Sequence, residues 1–307
     1  MLILTGMRLF APPDVRPRPE TYRNLEEGNI LFFPRTPFEF PQSERDVLLS
    51  VRQVKGAHHK NIAYRPEREK ITGFDKASVS NPEALRSALR SYSRRSLQFL
   101  RDLLPRYMEG CRIDYASFRP DEEEGRELPT NKRNDLLHVD AFPSRPTSGD
   151  LILRIFTNIN PVRSRVWTVS EPFAKIAAAH ATAAGLTEIA ARKASPLGWL
   201  RDLGAPLLAA AGLTAAKRSP YDRFMLGFHE YLKRNDAYQR DCPKSRLEFP
   251  PDSTWMVFTD IVPHAVLSGR YALEQTVIVP RGNLLEKGNA PIEILQDLCG
   301  QPLAAAV

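Results

Sequence analysis

A histidine and an aspartate separated by one residue lie at the centre of the segment Leu136–Pro143. In an extended chain, side chains at positions i and i+2 point to the same face, so His138 and Asp140 project together while Val139 points away. An imidazole and a carboxylate placed in this way can supply two ligands of a 2-His-1-carboxylate site, which leaves positions on Fe(II) open for a co-substrate and dioxygen. Because a His-x-Asp triplet often occurs by chance, the prediction depends on a second histidine.

His264 is the candidate for this third ligand. It lies far downstream, at the start of a strand-like run, shortly after the β-rich segment Thr254–Thr259. The chain between the two histidines contains several short strands rather than one long helical domain, so a sheet can bring the ligands together. We therefore expect His138, Asp140 and His264 to bind the metal and to form the catalytic centre.

A single charge in an apolar run provides a further candidate. Arg154 is the only charged residue of Leu151–Asn158. A charge in a buried strand is costly unless an anion pairs with it, and arginine binds a carboxylate through two parallel hydrogen bonds. The distal carboxylate of 2-oxoglutarate would be such an anion. The alternative is an arginine on an edge strand that faces solvent.

The composition of the chain limits its class and its partners. The chain has 307 residues, of which 42% are hydrophobic, so we expect a sizeable core in one large domain or two small ones. A net charge of +7 favours phosphate-bearing partners, either nucleic acid or an anionic lipid surface, without choosing between them. The three cysteines are too few and too far apart for a disulfide framework. No apolar run is long enough for a transmembrane helix and the N-terminus lacks a basic leader, which together favour the cytoplasm.

The elements that would position these residues can be predicted along the chain. A long amphipathic helix is expected over Pro82–Met108, capped by Ser80 and Glu83 and ended or kinked at Pro105. Another helix should begin at Ser219-Pro220. The Ser268-Gly269 pair predicts a tight hairpin between the two extended pieces that flank it. Strands are predicted at Arg112–Phe118, Leu151–Asn158, Arg165–Val169, Thr254–Thr259, His264–Leu267 and Ala272–Val279.

Residues 185–217 are rich in Ala, Leu and Gly. They are predicted to form an insertion of short helices, which either adds a packing layer or presents an amphipathic surface to a membrane. In the second case the inserted side chains would be Trp199, Leu200, Leu207 and Leu208.

Long peptides around the candidate ligands resemble the Kdo 3-hydroxylase family, which acts on 3-deoxy-D-manno-oct-2-ulosonic acid (Kdo) of bacterial lipopolysaccharide. The likeness covers most of the chain and is far more specific than the triplet. The peptides that carry it are His138–Thr147 (HVDAFPSRPT), Arg154–Pro161 (RIFTNINP), His264–Gly269 (HAVLSG), Leu273–Thr276 (LEQT), Asn61–Pro66 (NIAYRP), Ser117–Pro120 (SFRP) and Tyr221-Asp222.

The resemblance implies an α+β fold with a double-stranded β-helix (jelly-roll, cupin-like) core. In this chain that core would comprise 111–169 and 254–280 of a single domain over 1–307, with flanking strands and a long helix in 1–110 and a helical insertion around 170–240. It also implies dependence on Fe(II), 2-oxoglutarate and dioxygen, and hydroxylation at C3 of Kdo on a lipid A precursor. The basic charge then suits an anionic glycolipid at the cytoplasmic face of the inner membrane, to which the enzyme would attach peripherally, and nucleic acid is not expected.

The co-substrate site departs from the common arrangement. Many 2-oxoglutarate oxygenases carry a basic residue on the strand after the distal histidine, where this chain has Glu274, Gln275 and Thr276. Arg154 resembles a second arrangement, with the basic residue on the strand after the aspartate, so it is the first candidate for binding 2-oxoglutarate. Arg270 and Thr276 are the next. Candidates for binding the acidic groups of the substrate are Arg119, Arg145, Arg163 and Arg165.

Two other functions remain open from the sequence. The chain could be a catalytically silent jelly-roll module that binds anionic glycolipid, which a metal-dependent loss of 2-oxoglutarate would exclude. It could also be an oxygenase that acts on nucleic acid. No run of interleaved aromatic and basic residues supports the second function.

Overall fold

The strands of the predicted jelly-roll core divide between two sheets. The structure, a computed structural model, describes residues 9–12, 14–51, 61–74, 79–194 and 218–304. The strands are β1 (Leu9–Phe10), β2 (Ile30–Phe33), β3 (Ile62–Arg65), β4 (Lys70–Thr72), β5 (Arg112–Arg119), β6 (Leu151–Asn158), β7 (Arg165–Val169), β8 (Ser245–Phe249), β9 (Thr254–Phe258), β10 (His264–Ser268) and β11 (Ala272–Val279). The helices are α1 (Pro19–Glu26), α2 (Gln42–Ser50), α3 (Pro82–Leu103), α4 (Pro105–Met108), α5 (Phe173–His180), α6 (Leu186–Ala194), α7 (Pro220–Arg234), α8 (Asp236–Asp241) and α9 (Pro291–Cys299).

Two sheets face each other around an aromatic cluster. The large sheet has the order β1-β2-β9-β6-β11-β5-β3-β4, and the small sheet has the order β10-β7-β8. Trp167 of the small sheet packs edge-on against Phe156 and Trp255 of the large sheet, with ring centres 4.9 and 5.6 Å apart. The α+β jelly-roll fold class is therefore confirmed. That the whole chain forms one domain stays a prediction.

Helix α3 covers the outer face of the large sheet. Two polar contacts fix it there: the hydroxyls of Tyr92 and Thr157 lie 3.3 Å apart, and the Ser93 hydroxyl donates to Gln275 at 2.7 Å. The helix ends at Leu103, shortly before Pro105, as predicted. The predicted cap was wrong by one residue, because the side chain of Asn81 rather than that of Ser80 accepts the Ala84 N–H. The opposite face of the sheet is left for the site.

The predicted hairpin at Ser268-Gly269 was wrong. Strand β10 pairs with β7 in the small sheet, whereas β11 pairs with β5 and β6 in the large sheet, so the turn carries the chain between sheets. Gly269 has a φ of +114°, and a Cβ there would lie 2.9 Å from the Cα of Arg165. A glycine is needed at this position because the turn between β10 and β11 passes too close to the backbone of Arg165 for a side chain.

Helices occupy the region predicted as an insertion. Helices α5 and α6 precede residue 195, and α7 and α8 follow residue 217. Helix α7 begins at Pro220 with a reciprocal cap between Ser219 and Asp222, as its sequence predicts. The proposed membrane-inserting side chains lie in 195–217, outside the described residues. Within the described ranges, we find no helix that is both long and apolar enough to cross a bilayer.

Candidate metal and co-substrate site

The two ligand histidines are direct neighbours across an antiparallel pair. The His138 N–H donates to the His264 carbonyl at 3.2 Å, and the His264 N–H donates to the His138 carbonyl at 2.9 Å. Two residues further on, the Asp140 N–H donates to the Thr259 carbonyl at 2.8 Å. Backbone pairing therefore places all three side chains together at the start of β10.

Hydrogen bonds orient both imidazoles. Nδ1 of His138 lies 2.7 Å from the Leu136 carbonyl, and Nδ1 of His264 lies 2.9 Å from the Val262 carbonyl. Because a carbonyl can only accept, each Nδ1 carries the proton and each Nε2 presents a lone pair. These Nε2 atoms lie 3.9 and 4.0 Å from the two carboxylate oxygens of Asp140. All three residues are buried, and their ligand atoms lie within 4.8 Å of one another.

The protonation states suit a divalent metal. Burial lowers the pKa of both His138 and His264, so both rings are neutral near pH 7. Burial alone would raise the pKa of Asp140, but the Arg154 guanidinium and the two histidines outweigh it and hold that pKa well below its usual value. Oδ2 of Asp140 is buried and has no hydrogen-bond partner within the described ranges. An anionic oxygen left in this state beside two imidazole lone pairs fits the donor set that Fe(II) takes.

A chain of buried ion pairs leads away from Asp140. Nη2 of Arg154 lies 3.3 Å from Asp140, and Nη1 of Arg154 lies 3.3 Å from Glu274. The other Glu274 oxygen accepts from Arg119 at 2.8 and 3.0 Å. Glu123 then lies 3.6 Å from both Arg119 and Arg165. Each charge in this network has an opposite neighbour, which makes its burial tolerable.

The three residues predicted to bind 2-oxoglutarate do not lie together. Arg154 and Thr276 are direct cross-strand partners of β6 and β11, so their side chains share the face on which Asp140 lies. Arg270 turns away, because its Nε donates to the Pro120 carbonyl at 3.3 Å and its guanidinium lies over the ring of Tyr271. This placement favours Arg154 and Thr276 over Arg270.

The four substrate candidates differ in their surroundings. Arg165 is only 1% exposed and donates to the Gly269 carbonyl at 2.8 Å, so it is a buried member of the ion network, to which the partly buried Arg119 also belongs. Arg163 is largely exposed and reaches Glu122 at 3.9 Å. Arg145 forms an ion pair with Asp114 and lies over the ring of Phe142, 4.4 Å from its centre. Of the four, Arg145 combines partial exposure with proximity to the metal ligands.

Sequence reasoning missed three side chains next to the ligands. His229 of α7 packs its ring 4.8 Å from that of His138, and its Nδ1 lies 2.7 Å from the Val139 carbonyl. Glu274 pairs with Arg119 and Arg154, and Asp260 accepts the Ile152 N–H at 3.1 Å. Of these three, only Glu274 could have been recognised from the sequence, as an acidic residue in an apolar strand. The positions of His229 and Asp260 beside the ligands depend on tertiary packing.

Fold and site together define a jelly-roll protein with a 2-His-1-carboxylate metal site. The sequence model of the family described as 3-deoxy-D-manno-oct-2-ulosonic acid (Kdo) hydroxylase matches residues 13–302. The chain therefore belongs to the Kdo hydroxylase family. No curated protein matches the chain.

Solved structures agree with this assignment. The Kdo hydroxylase KdoO, a non-heme Fe(II) alpha-ketoglutarate dependent dioxygenase, in complex with cobalt(II) is 32% identical, with a TM-score of 0.82 over 98% of both chains. KdoO in complex with alpha-ketoglutarate and Fe(III) is 31% identical, with a TM-score of 0.80 over 97% of both chains. The apo structure of KdoO is 32% identical, with a TM-score of 0.81 over 97% of both chains.

Proposed function

We propose that this protein is an Fe(II)- and 2-oxoglutarate-dependent dioxygenase that hydroxylates Kdo. The observation that carries the proposal is the preset triad, in which two oriented Nε2 atoms converge with one buried carboxylate oxygen that accepts no hydrogen bond from the described residues. Fe(II) bound there would supply the redox chemistry that couples 2-oxoglutarate and dioxygen to oxidation of a C–H bond.

The residues of the chain would hold and shield the reactants. His138 and His264 need no reorientation, because their Nδ1 atoms are already bonded to backbone carbonyls. Arg154, with Thr276 beside it, would bind the distal carboxylate of 2-oxoglutarate. Trp167 stacks on His264 with ring centres 5.1 Å apart, so that side of the site is closed by an aromatic wall that excludes water.

The carbon atom that is hydroxylated and the place of the reaction in the cell are also part of the proposal. We infer hydroxylation at C3 of Kdo, with a Kdo-bearing lipid A precursor as substrate and the cytoplasmic face of the inner membrane as the place of reaction. The support is the basic charge of the chain, which suits an anionic glycolipid, and the arginines near the ligands.

The decisive experiment is mass spectrometry of the lipopolysaccharide core from a heterologous host that expresses the chain. We expect one added oxygen on Kdo, with fragmentation placing it at C3. His138→Ala, Asp140→Ala and His264→Ala should abolish the product while circular dichroism shows an unchanged fold. An unmodified core from a host with folded, iron-loaded wild-type protein would refute the proposal, and full activity in any variant would remove that residue from the triad.

A further inference from the structure

Two arginines contact one tyrosine beside the metal ligands. The guanidinium carbon of Arg65 lies 4.7 Å from the ring centre of Tyr115, and that of Arg145 lies 4.1 Å from the same centre. Arg145 also lies 4.4 Å from the ring centre of Phe142, which follows the ligand Asp140 by two residues. Arginine planes packed on aromatic rings are held in place at little entropic cost on binding.

This cluster lies on the face of the large sheet that carries the site. Ala63 pairs with Ser117, and Ser117 pairs with Glu274. Because side chains alternate along a strand, Arg65 and Tyr115, two residues from Ala63 and Ser117, share the face of Glu274. The ring of Phe142 joins the cluster to the co-substrate site, since Arg154 lies 5.4 Å from its centre.

Both arginines have unused hydrogen-bonding capacity. Nε of Arg65 and Nε of Arg145 are buried and have no hydrogen-bond partner among the residues that the structure describes. Arg145 donates through Nη1 to Asp114, whereas Arg65 forms no ion pair with any residue that the structure describes. Buried donors are normally satisfied, so a missing acceptor is the simplest explanation for two such atoms in one cluster. The forked donors of arginine match a planar or tetrahedral oxyanion.

We propose that Arg65 and Arg145, packed on Tyr115, form an oxyanion subsite that binds an acidic group of the substrate. The inference rests on the proposed function and deepens it. The oxyanion is either the carboxylate of the sugar acid or a phosphate of the lipid, and the position of the cluster favours the carboxylate. In a 3-deoxy-2-ulosonic acid the carboxylate is attached to C2, next to C3, so a carboxylate subsite has to lie close to the metal, and Phe142 places the cluster there.

The first test is direct binding of the methyl glycoside of Kdo to the anaerobic holoenzyme with Fe(II) and 2-oxoglutarate, measured by calorimetry. We expect Arg65→Gln and Arg145→Gln each to weaken binding by about tenfold or more, the effect of losing a charge-assisted hydrogen bond. Arg145→Lys should retain part of the affinity because it keeps the charge without the fork. The matched control is Arg68→Gln, an exposed arginine three residues after Arg65.

The second test separates the two sources of the oxyanion. If the carboxylate is bound, its methyl ester should bind the wild type as weakly as the free acid binds the variants. If a phosphate is bound, the glycoside should bind all proteins equally, and only removal of phosphate from the lipid substrate should raise the KM of the wild type to that of the variants. Equal KM and equal affinity in the wild type and both Gln variants would overturn the subsite.

Failure of the proposed function has a different signature. 2-Oxoglutarate turnover in the absence of substrate reports on the metal centre alone, and it should be the same in the wild type and in the Arg68→Gln control. A wild type that turns over 2-oxoglutarate but neither binds nor hydroxylates any Kdo compound would overturn the function and the subsite together. Hydroxylation by a wild type whose variants are unaffected would overturn the subsite only.

Discussion

At the scale of single residues, the carboxylate of Asp140 is surrounded by groups that compete for it. Its oxygens face two imidazoles, and Oδ2 also lies 3.3 Å from Arg154. Arg154 in turn divides its guanidinium between Asp140 and Glu274. Asp140, which would bind the metal, and Arg154, which would bind the co-substrate, are therefore already paired with each other in the absence of both ligands.

Replacement of Arg154 tests this arrangement. We expect Arg154→Ala to raise the KM for 2-oxoglutarate by about tenfold or more, since a charge-assisted pair is lost, and to lower stability because Asp140 and Glu274 stay buried without it. Arg154→Lys should recover stability better than it recovers KM, because lysine lacks the fork. Initial rates at varied 2-oxoglutarate measure the first effect and thermal unfolding the second. An unchanged KM would assign the role to Arg270 or another residue.

Asp260 predicts a pH dependence. Burial raises its pKa to about 7, and Oδ1 has no hydrogen-bond partner in the part of the chain that the structure describes. The folded state then holds a proton that the unfolded chain releases near pH 4, so this residue makes stability fall as pH rises through about 4 to 7. In metal-free protein, Asp260→Asn should raise the free energy of unfolding by on the order of 4 kcal/mol at pH 8 and leave it nearly unchanged at pH 4. Equal effects at both values would show that the carboxyl is ionised in the fold.

The ligand residues were predictable because their geometry is local. Alternation along one extended segment fixes His138 and Asp140 relative to each other without knowledge of the fold. Glu274 and Phe142 were not predicted as parts of the site, because their contacts depend on the register between strands and on loop packing. Register is set by the whole sheet, so a single strand's sequence does not reveal which arginines meet Glu274.

At the scale of elements, the passage from β10 to β11 determines where His264 lies. Sequence reasoning gave both strands with nearly their observed bounds but joined them as a hairpin. A Ser-Gly pair marks a sharp turn and does not reveal whether the second strand returns beside the first or enters another sheet. In this chain Arg165 holds the connection between the two sheets in place, because its Nη1 donates to the Gly269 carbonyl.

Gly269→Ala tests that crossing. The added methyl group would meet the Arg165 backbone at 2.9 Å and force a φ of +114° on an L-residue. We expect a loss of about 2 kcal/mol or more in unfolding free energy and weaker metal binding, because β10 carries His264. The matched control is Gly282→Ala, where a Cβ would have no atom of the described residues within 4 Å. Equal metal affinity and equal stability in both variants would show that the crossing does not constrain the site.

At the scale of the whole molecule, positive charge is spread over a surface away from the site. Helix α3 presents Arg90, Arg94 and Arg101 at spacings of four and seven, which place them on one face. Arg94 and Arg101 are exposed, and this face points away from the sheet. The sequence alone predicted the basic balance, but only the fold shows that these arginines form a stripe on the outside of the large sheet.

Binding to lipid vesicles tests the peripheral attachment that we propose. The wild type should sediment with phosphatidylglycerol vesicles at low salt and dissociate at high salt, because exposed charges are screened. Arg94→Gln with Arg101→Gln should weaken this binding without changing turnover of 2-oxoglutarate in solution. Binding that is insensitive to salt, or equal for neutral vesicles, would contradict an electrostatic attachment.

The aromatic wall has one more consequence, for how the metal can be observed. Of the three tryptophans in the chain, Trp199 lies outside the described residues, Trp167 stacks on His264, and Trp255 packs against Trp167. A paramagnetic ion bound to His264 would lie near the Trp167 indole that stacks on this ring, and it should quench the emission of that indole. Intrinsic tryptophan fluorescence would then report how much of the protein holds metal, without any need for turnover. The emission of a His264→Ala variant should not respond to metal.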